Sequence, residues 1–311
     1  MNSLPSASVI VPTYNRSGFI ERAFASLVDQ DYPKDKFEII AIDDGSTDRT
    51  PEILKRFCRD HTYFRALSQA NKGPAVARNL GIRLAKGDIV LLMDDDCIAE
   101  KNWARELVGA YRDDSIGGVA GRIKFVASDN NIANQFAAHD IGSGQPLNAA
   151  GEIEFFVTAN ASFRRKVIEQ VGGFDETFPY AAHEDVDLSH RVRRAGWRLL
   201  YHDAAVVDHY HHHNIRGDLK KGYQVGTSEA LYQLKHGDDL QLLTAVIECL
   251  LAFGKTPLSI AKYLTEGLGL RRSFAFPLLH RLHKLMVTSG KIKGYYSYRN
   301  SFNGHGSHVN Q

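Results

Sequence analysis

Asp88-Ile-Val-Leu-Leu-Met-Asp-Asp-Asp96 joins a short apolar run, rich in β-branched residues, directly to three consecutive carboxylates. Asp88–Met93 has the length and composition of a strand buried on both faces. Earlier in the chain, Ser8–Thr13 (SVIVPT), Phe37–Ile42 (FEIIAI) and Phe64–Ser68 read the same way. Between them lie helical patterns at Phe19–Val28, at Pro51–Cys58 with Thr50 as cap and Pro51 in the first turn, and at Ala75–Lys86 closed by Gly87. This βαβαβαβ alternation predicts a mostly parallel central sheet with helices on both faces, and it puts ligands at the carboxyl ends of the strands. Those ends read Pro12-Thr13-Tyr14-Asn15, Asp43-Asp44-Gly45-Ser46 and Asp94-Asp95-Asp96.

Downstream, Trp103–Tyr111 reads as a helix and Gly118–Phe125 as a strand, followed by a polar, Gly-rich excursion over Ser128–Gly151. Glu154–Thr158 resumes a strand pattern. Lys166–Val171 and His183–Ala195 are helices ended by Gly172-Gly173 and Gly196, with Arg198–Tyr201 and Ala204–Val207 as two final strands. From Ile215 the pattern is helical throughout, so a boundary near Asn214 divides an α/β domain (residues 1–214) from a helical extension (residues 215–311).

Composition narrows the class. The 311 residues are 43% hydrophobic, in the ordinary globular range, and a formal net charge of +2 supplies no global field for nucleic acid. Cys58, Cys97 and Cys249 lie far apart without metal-ligand spacing, which fits a reducing compartment. The start of the chain lacks the succession of a signal peptide. Leu242–Phe253 is shorter than the roughly 20 apolar residues a bilayer crossing needs. A cytoplasmic protein is expected.

Crowded carboxylates raise one another's pKa unless a cation joins them, so Asp94-Asp95-Asp96 points to Mg²⁺ or Mn²⁺; the alternative is a solvated acidic turn that caps the helix at Trp103. Asp43-Asp44-Gly45-Ser46 could accept a nucleobase N–H or build an Asx-turn leading to Thr50.

The chain resembles the family 2 inverting glycosyltransferases of the GT-A fold over roughly residues 7 to 210. The resemblance lies in Ser8-Val-Ile-Val-Pro-Thr-Tyr-Asn15, Asp43-Asp-Gly-Ser-Thr-Asp48, Asn71-Lys-Gly-Pro-Ala-Val-Ala-Arg-Asn79, Leu92-Met-Asp-Asp-Asp96 and Glu184-Asp-Val-Asp-Leu188. It implies that Pro12 and Tyr14 flank the nucleobase, that Asp44 takes its N–H, and that Arg78 reaches base or phosphate. It also implies Asp94 on the sugar nucleotide and Asp96 on the metal; Asp95 joins the donor set because the triple admits more than one register.

A leaving nucleoside diphosphate gains negative charge that a divalent cation can neutralise, and the acceptor hydroxyl needs a base. Glu184-Asp185 opens a helix whose Leu188, Val192 and Ala195 form an apolar stripe, so the helix dipole is expected to keep both acids ionised. By resemblance Asp185 is the base and Glu184 orients the acceptor; the plainer reading is an acidic first turn with an Asp187–Arg191 pair. Thr158-Ala-Asn-Ala-Ser-Phe163 resembles the family segment beneath donor sugar and acceptor, with Asn160 singled out, although small residues also suit a tight strand-to-helix connection. Among His209-Tyr210-His211-His212-His213, the resemblance implies one histidine as an added metal or diphosphate contact, His209 by register; neighbours on a strand alternate faces, so the histidines cannot all meet one ion.

The expected activity is metal-assisted, inverting transfer from a nucleotide sugar, UDP first, to a glycan or lipid-linked acceptor hydroxyl in cell-surface glycan synthesis. A retaining outcome is the mechanistic rival. Nucleotidyl transfer would want a Gly-rich loop after the first strand, which Val11-Pro12-Thr13-Tyr14-Asn15 lacks, and a non-catalytic glycan-binding protein would not need the acids at 44, 96 and 185. The extension mixes basic and apolar residues, as at Arg271-Arg272 and His280–Lys284, which suits an anionic membrane surface at the inner face, a helical cap or a homodimer contact. No QxxRW sequence is present.

Overall fold

The computed structural model describes residues 4–127, 148, 150–211, 215–236 and 272–303. They fall into two compact units: the first takes in Met1–Val126, Gly142–Thr177 and Glu184–Tyr210, and the second includes Phe178–His183 and the chain from His211 onward.

The first unit is an eight-stranded sheet with helices on both faces. β1 (Ala7–Thr13), β2 (Phe37–Asp43), β3 (Phe64–Ser68) and β4 (Ile89–Met93) run parallel, joined by α1 (Ile20–Val28), α2 (Thr50–Asp60) and α3 (Pro74–Leu84). β5 (Cys97–Ala99), α4 (Trp103–Gly109), β6 (Ile116–Ala127), β7 (Asn160–Arg164), α5 (Arg165–Gln170), α6 (Glu184–Arg194) and β8 (Arg198–His211) follow. The strand order is β3-β2-β1-β4-β7-β6-β8-β5. Parallel pairing ends at β4, since β4 with β7, β7 with β6 and β5 with β8 are antiparallel. The sheet is therefore mixed, with its parallel half confined to the first four strands.

The first strands are continuous apolar runs because both of their faces are covered. Val9, Val11 and Ile39 look toward Phe24, Leu27, Trp103 and Leu107, while Ile10, Ile40 and Leu92 look toward Ile82, Phe163, Leu188 and Val192. Phe24 meets Phe64 and Phe57 edge-on at 4.9 and 5.6 Å between ring centroids. A Cβ on Gly81 would stand 2.4 Å from Ile10 Cγ2, so that glycine lets α3 lie close on β1.

Three local expectations are corrected. Glu154–Thr158 is not a strand: the Val157 carbonyl accepts the Asn160 N–H in a turn, and the pairing strand begins at Asn160. Arg198–His211 is one continuous strand, its polar middle tied laterally by His202 to Glu106 and by Arg122 to Asp203. Thr50 does not cap α2 with its side chain, which accepts the Arg16 N–H at 3.0 Å, while Asp48 Oδ1 accepts the Thr50 N–H at 2.9 Å.

In the second unit α7 (Ile215–His236) and α8 (Arg272–Asn303) pack backbone to backbone. A Cβ on Gly226 would meet the Val287 carbonyl oxygen at 1.7 Å, and one on Gly290 the Tyr223 carbonyl oxygen at 2.1 Å. Lys291 pairs with Glu229 across them at 2.6 Å. Among the described residues no helix is long and apolar enough to cross a membrane. Leu242–Phe253, Arg271, His212 and His213 lie outside the described residues, as do the side chains of His211, Arg272, His280, Arg281 and His283 and most of the Ser128–Gly151 excursion.

Candidate active site

The carboxyl ends of β1, β2 and β4 lie side by side because these strands pair in register: Thr13 faces Asp43 across β1 and β2, and Ile10 faces Leu92 across β1 and β4. After β1 the chain turns at Asn15, whose φ of 51° is left-handed, a conformation asparagine tolerates. Asn15 donates its N–H to Ser46 Oγ at 2.8 Å and accepts the Thr47 N–H at 2.8 Å, tying the first edge loop to the second. Tyr14 is left 46% exposed beside the half-buried Pro12, an aromatic face open to a planar base.

The two acids after β2 divide the labour. Asp43 builds the turn, accepting the Ser46 N–H at 3.0 Å and the Ser68 hydroxyl at 2.9 Å. Asp44 accepts the Lys72 and Gly73 N–H groups at 2.9 and 2.8 Å and Gln69 Nε2 at 2.8 Å, so it organises the entry into α3, where Gly73 takes a φ of 93°. Each carboxylate oxygen has two lone pairs, and Asp44 Oδ2 carries only the Gly73 contact.

Each acid after β4 has a basic partner, and Arg16 serves two of them. Asp94 receives Arg78 Nη2 at 3.0 Å. Asp95 meets Arg16 Nε at 3.3 Å; burial pushes its carboxyl up to about 7, against the opposing charge of Arg16 and with that of Asp96. Asp96 meets His209 Nε2 at 3.0 Å and Arg16 Nη2 at 3.4 Å. His209 is brought there by the pairing of β5 with β8, which sets it opposite Cys97 and lets the Tyr210 N–H donate to the Asp96 carbonyl at 3.0 Å. Although burial works against its charge, the contact with Asp96 raises the His209 pKa.

The ligand atoms of Asp96, Cys97 and His209 lie within 4.8 Å of one another. Burial pushes the Cys97 thiol well up, so it stays protonated and is a poor ligand for a hard cation. What remains is a carboxylate beside an imidazole, next to the half-buried Asp94. Mg²⁺ and Mn²⁺ are commonly held by one or two carboxylates with substrate phosphates completing the shell, and Asp96 with His209 fits that demand. The sequence missed Arg16; its only signal is its place directly after Asn15.

Arg78 is 3% exposed and turned inward. Its Nη1 reaches Glu184 Oε1 at 2.8 Å, and its guanidinium carbon lies 5.5 Å from the Phe174 ring centroid. It spans Asp94 at the end of β4 and Glu184 on α6. Glu184 is 1% exposed, and among the described residues its buried second oxygen has no hydrogen-bond partner.

Asp185 accepts the Val186 N–H at 2.9 Å. Burial first and the Glu184 charge second push its carboxyl up to about 7, while Arg78 and the backbone N–H groups pull the other way. The expectation of an acid held ionised by the helix dipole is thus corrected: desolvation outweighs the helix end. The Asp187–Arg191 pair does form, at 2.7 Å.

Asn160 is held inside the fold. It is 1% exposed, its Oδ1 accepts Trp103 Nε1 at 2.8 Å, and its Nδ2 donates to the Arg122 and Ala205 carbonyls at 2.9 Å each. Both donors are used inside the fold, leaving none for a sugar. Asn160→Ala should strand a buried indole N–H and two carbonyls, costing on the order of 3 kcal/mol in urea unfolding while leaving nucleotide affinity of the folded protein unchanged. A loss of affinity without a loss of stability would return Asn160 to the ligand.

Residues 8–172 match the family model described as Glycosyl transferase family 2, more than half of the chain. The chain belongs to this family. Among its relatives are the probable glycosyltransferase YdaM of Bacillus subtilis (30% identity, 67% of this chain, 51% of the relative) and the pre-mycofactocin glycosyltransferase of Mycobacterium tuberculosis (31%, 74% and 48%). The chain spans about half the length of these two relatives. Among solved structures it is similar to the mannosyltransferase PcManGT of Pyrobaculum calidifontis, in complex with GDP-Man and Mn²⁺ (TM-score 0.60, 20% identity, 98% of this chain and 80% of that one). It also resembles S. aureus TarS 1-349 in complex with UDP (TM-score 0.52, 19%, 95% and 92%). At these identities the likeness is one of fold, and the fold is the GT-A glycosyltransferase fold.

Proposed function

We propose that the protein transfers a sugar from a nucleoside-diphosphate sugar to an acceptor hydroxyl with inversion, and that UDP is the nucleotide. The observation that carries this reading is the single buried guanidinium of Arg78, which links Asp94 on the nucleotide edge to Glu184, the neighbour of Asp185. It ties a donor-side acid to the helix that bears a carboxyl poised near neutral pH, the condition for a general base.

In this reading Tyr14 and Pro12 face the base and Asp44 accepts its N–H through the lone pairs left on Oδ2. Asp94 and Asp95 line the donor side, Arg78 positioning Asp94 and Arg16 positioning Asp95. Asp96 and His209 hold Mg²⁺ or Mn²⁺, which when bound supplies a Lewis acid toward the leaving diphosphate. Asp185 takes the proton of the acceptor hydroxyl as the oxygen attacks the anomeric carbon, and Glu184 holds the acceptor. Relatives named as beta-monoglucosyldiacylglycerol synthase and hyaluronan synthase support a glycan or lipid-linked acceptor. The helical extension, residues 215–311, is assigned to docking on an anionic membrane face.

The test is a thermal-shift series with UDP, GDP and Mn²⁺. A nucleotide at about 100 times its Kd stabilises the native state by about 2.7 kcal/mol. UDP with Mn²⁺ should raise Tm more than UDP alone or GDP with Mn²⁺, and Asp96→Asn should abolish the Mn²⁺-dependent part while sparing the rest. A larger response to GDP would replace the nucleotide; a Mn²⁺ response that survives Asp96→Asn would remove Asp96 from the metal.

A further inference from the structure

Arg16 enters the reading above only as the partner of Asp95, yet it touches two of the three acids. Its backbone is fixed: its N–H donates to Thr50 Oγ1 at 3.0 Å, and its carbonyl accepts the Phe19 and Ile20 N–H groups at 2.9 and 3.0 Å. Its side chain is 36% exposed and forked, with Nε at 3.3 Å from Asp95 Oδ1 and Nη2 at 3.4 Å from Asp96 Oδ2. The two ends differ in setting, for the Asp95 side chain is 9% exposed and Asp96 15%.

The Nε contact is therefore an anchor in the interior, and Nη2 is the end that can leave. A positive charge resting on Asp96 and a divalent cation entering at the same carboxylate repel each other. A nucleoside diphosphate brings the other strong anion to this edge, and a guanidinium fork suits phosphate oxygens.

We infer that Arg16 is the counter-ion guarding Asp96 in the donor-free enzyme, with Nη2 passing from Asp96 to the arriving diphosphate while Nε stays on Asp95. This rests on the proposed use of a nucleoside-diphosphate donor and a divalent metal. Metal and nucleotide then bind as one coupled event: the metal enters readily only when the diphosphate has drawn the guanidinium away. Arg16 acts on the metal through Asp96, as a positioning residue in the empty site, and becomes a direct diphosphate ligand in the loaded one. Asp95 acquires a purpose too, as the hinge on which that side chain turns.

Mn²⁺ binding to the full chain, followed by electron paramagnetic resonance of the free ion without and with saturating UDP, tests this. Wild type should bind Mn²⁺ weakly alone and more tightly with UDP. Arg16→Met should bind Mn²⁺ alone at least about 5-fold more tightly, and the enhancement by UDP should shrink by at least that factor, because the coupling is reciprocal. Arg16→Lys keeps the charge and should bind Mn²⁺ alone as wild type does, a result that a purely structural role would not give. If Arg16→Met does not fold, Arg16→Gln carries the same expectation. A folded, uncharged variant that binds Mn²⁺ alone no more tightly than wild type overturns the inference while leaving the metal site standing. Wild type that takes up no Mn²⁺ even with UDP overturns both the metal reading and the inference.

Discussion

Asp185→Asn should lower turnover by about 10²–10⁴-fold with a competent acceptor while UDP affinity stays as in wild type, because the substitution keeps the shape of the side chain and removes only its proton acceptor. The pH profile gives a second, independent readout. With its carboxyl pushed up to about 7, wild-type kcat/KM should fall as pH drops through that value, since the base must be unprotonated to act. Stability moves the opposite way. A carboxyl whose folded pKa lies above the unfolded value near 3.9 favours the folded state when protonated. Its ionisation therefore weakens the fold progressively from about pH 4 to about pH 7, and the full cost applies above that. Asp185→Asn removes the cost: the variant should melt a few degrees higher than wild type at pH 8 and level with it near pH 4. Asp95 is also pushed up to about 7 but is present in both proteins, so it leaves the difference unaffected. Near-normal turnover in the folded variant would move the base to Glu184 or Asp187, and unchanged melting at pH 8 would show that the carboxyl is not buried as described.

Arg78→Met carries the largest stability effect. Removing the cation leaves Glu184, 1% exposed, and Asp94 facing each other with no charge between them, and breaking a buried ion pair in this way costs about 3–5 kcal/mol. That is a large part of the roughly 5–15 kcal/mol that holds a typical domain folded. Urea unfolding should show it as a fall in midpoint. The double variant Arg78→Met/Glu184→Gln should recover much of the loss, since the stranded charge goes with its partner. Arg78→Lys should not rescue it, because one ammonium cannot supply the two separate contacts at 2.8 and 3.0 Å. A loss under about 1 kcal/mol for Arg78→Met would mean that water already screens this guanidinium.

The four parallel strands were legible because burial on both faces writes itself as an uninterrupted apolar run, and the acids after them were legible because strand ends in such sheets face ligand. The antiparallel half was harder to read. In β8 the His202-Asp203 pair looks like a gap between two strands, whereas each is a strand residue with a lateral polar partner. The segment Asn160-Ala-Ser-Phe163 resembles the floor of a sugar pocket in the sequence, and the structure adds that it is a strand between β4 and β6 whose Asn160 accepts the Trp103 indole N–H. Charge partnership was equally hidden. Arg78 stands 106 residues before Glu184, and a one-dimensional pattern gives no reason to join them. The raised pKa of Asp185 was missed for a related reason, since the helix position is visible in a sequence and the depth of burial is not.

The arginines that meet the acids after β4 stand earlier in the chain than the acids do. Synthesis runs from Arg16 and Arg78 to Asp94-Asp95-Asp96, and only much later reaches Glu184 and His209. Both arginines precede the triple aspartate, so the Arg16–Asp95 and Arg78–Asp94 pairs draw only on residues 1–96. Arg78 then waits with one arm filled, and the emerging Glu184 meets a ready counter-charge instead of an acidic wall. His209 closes on Asp96 last. Asp94 and Asp95 thus follow their partners in the chain, whereas Asp96 gains His209 only with β8.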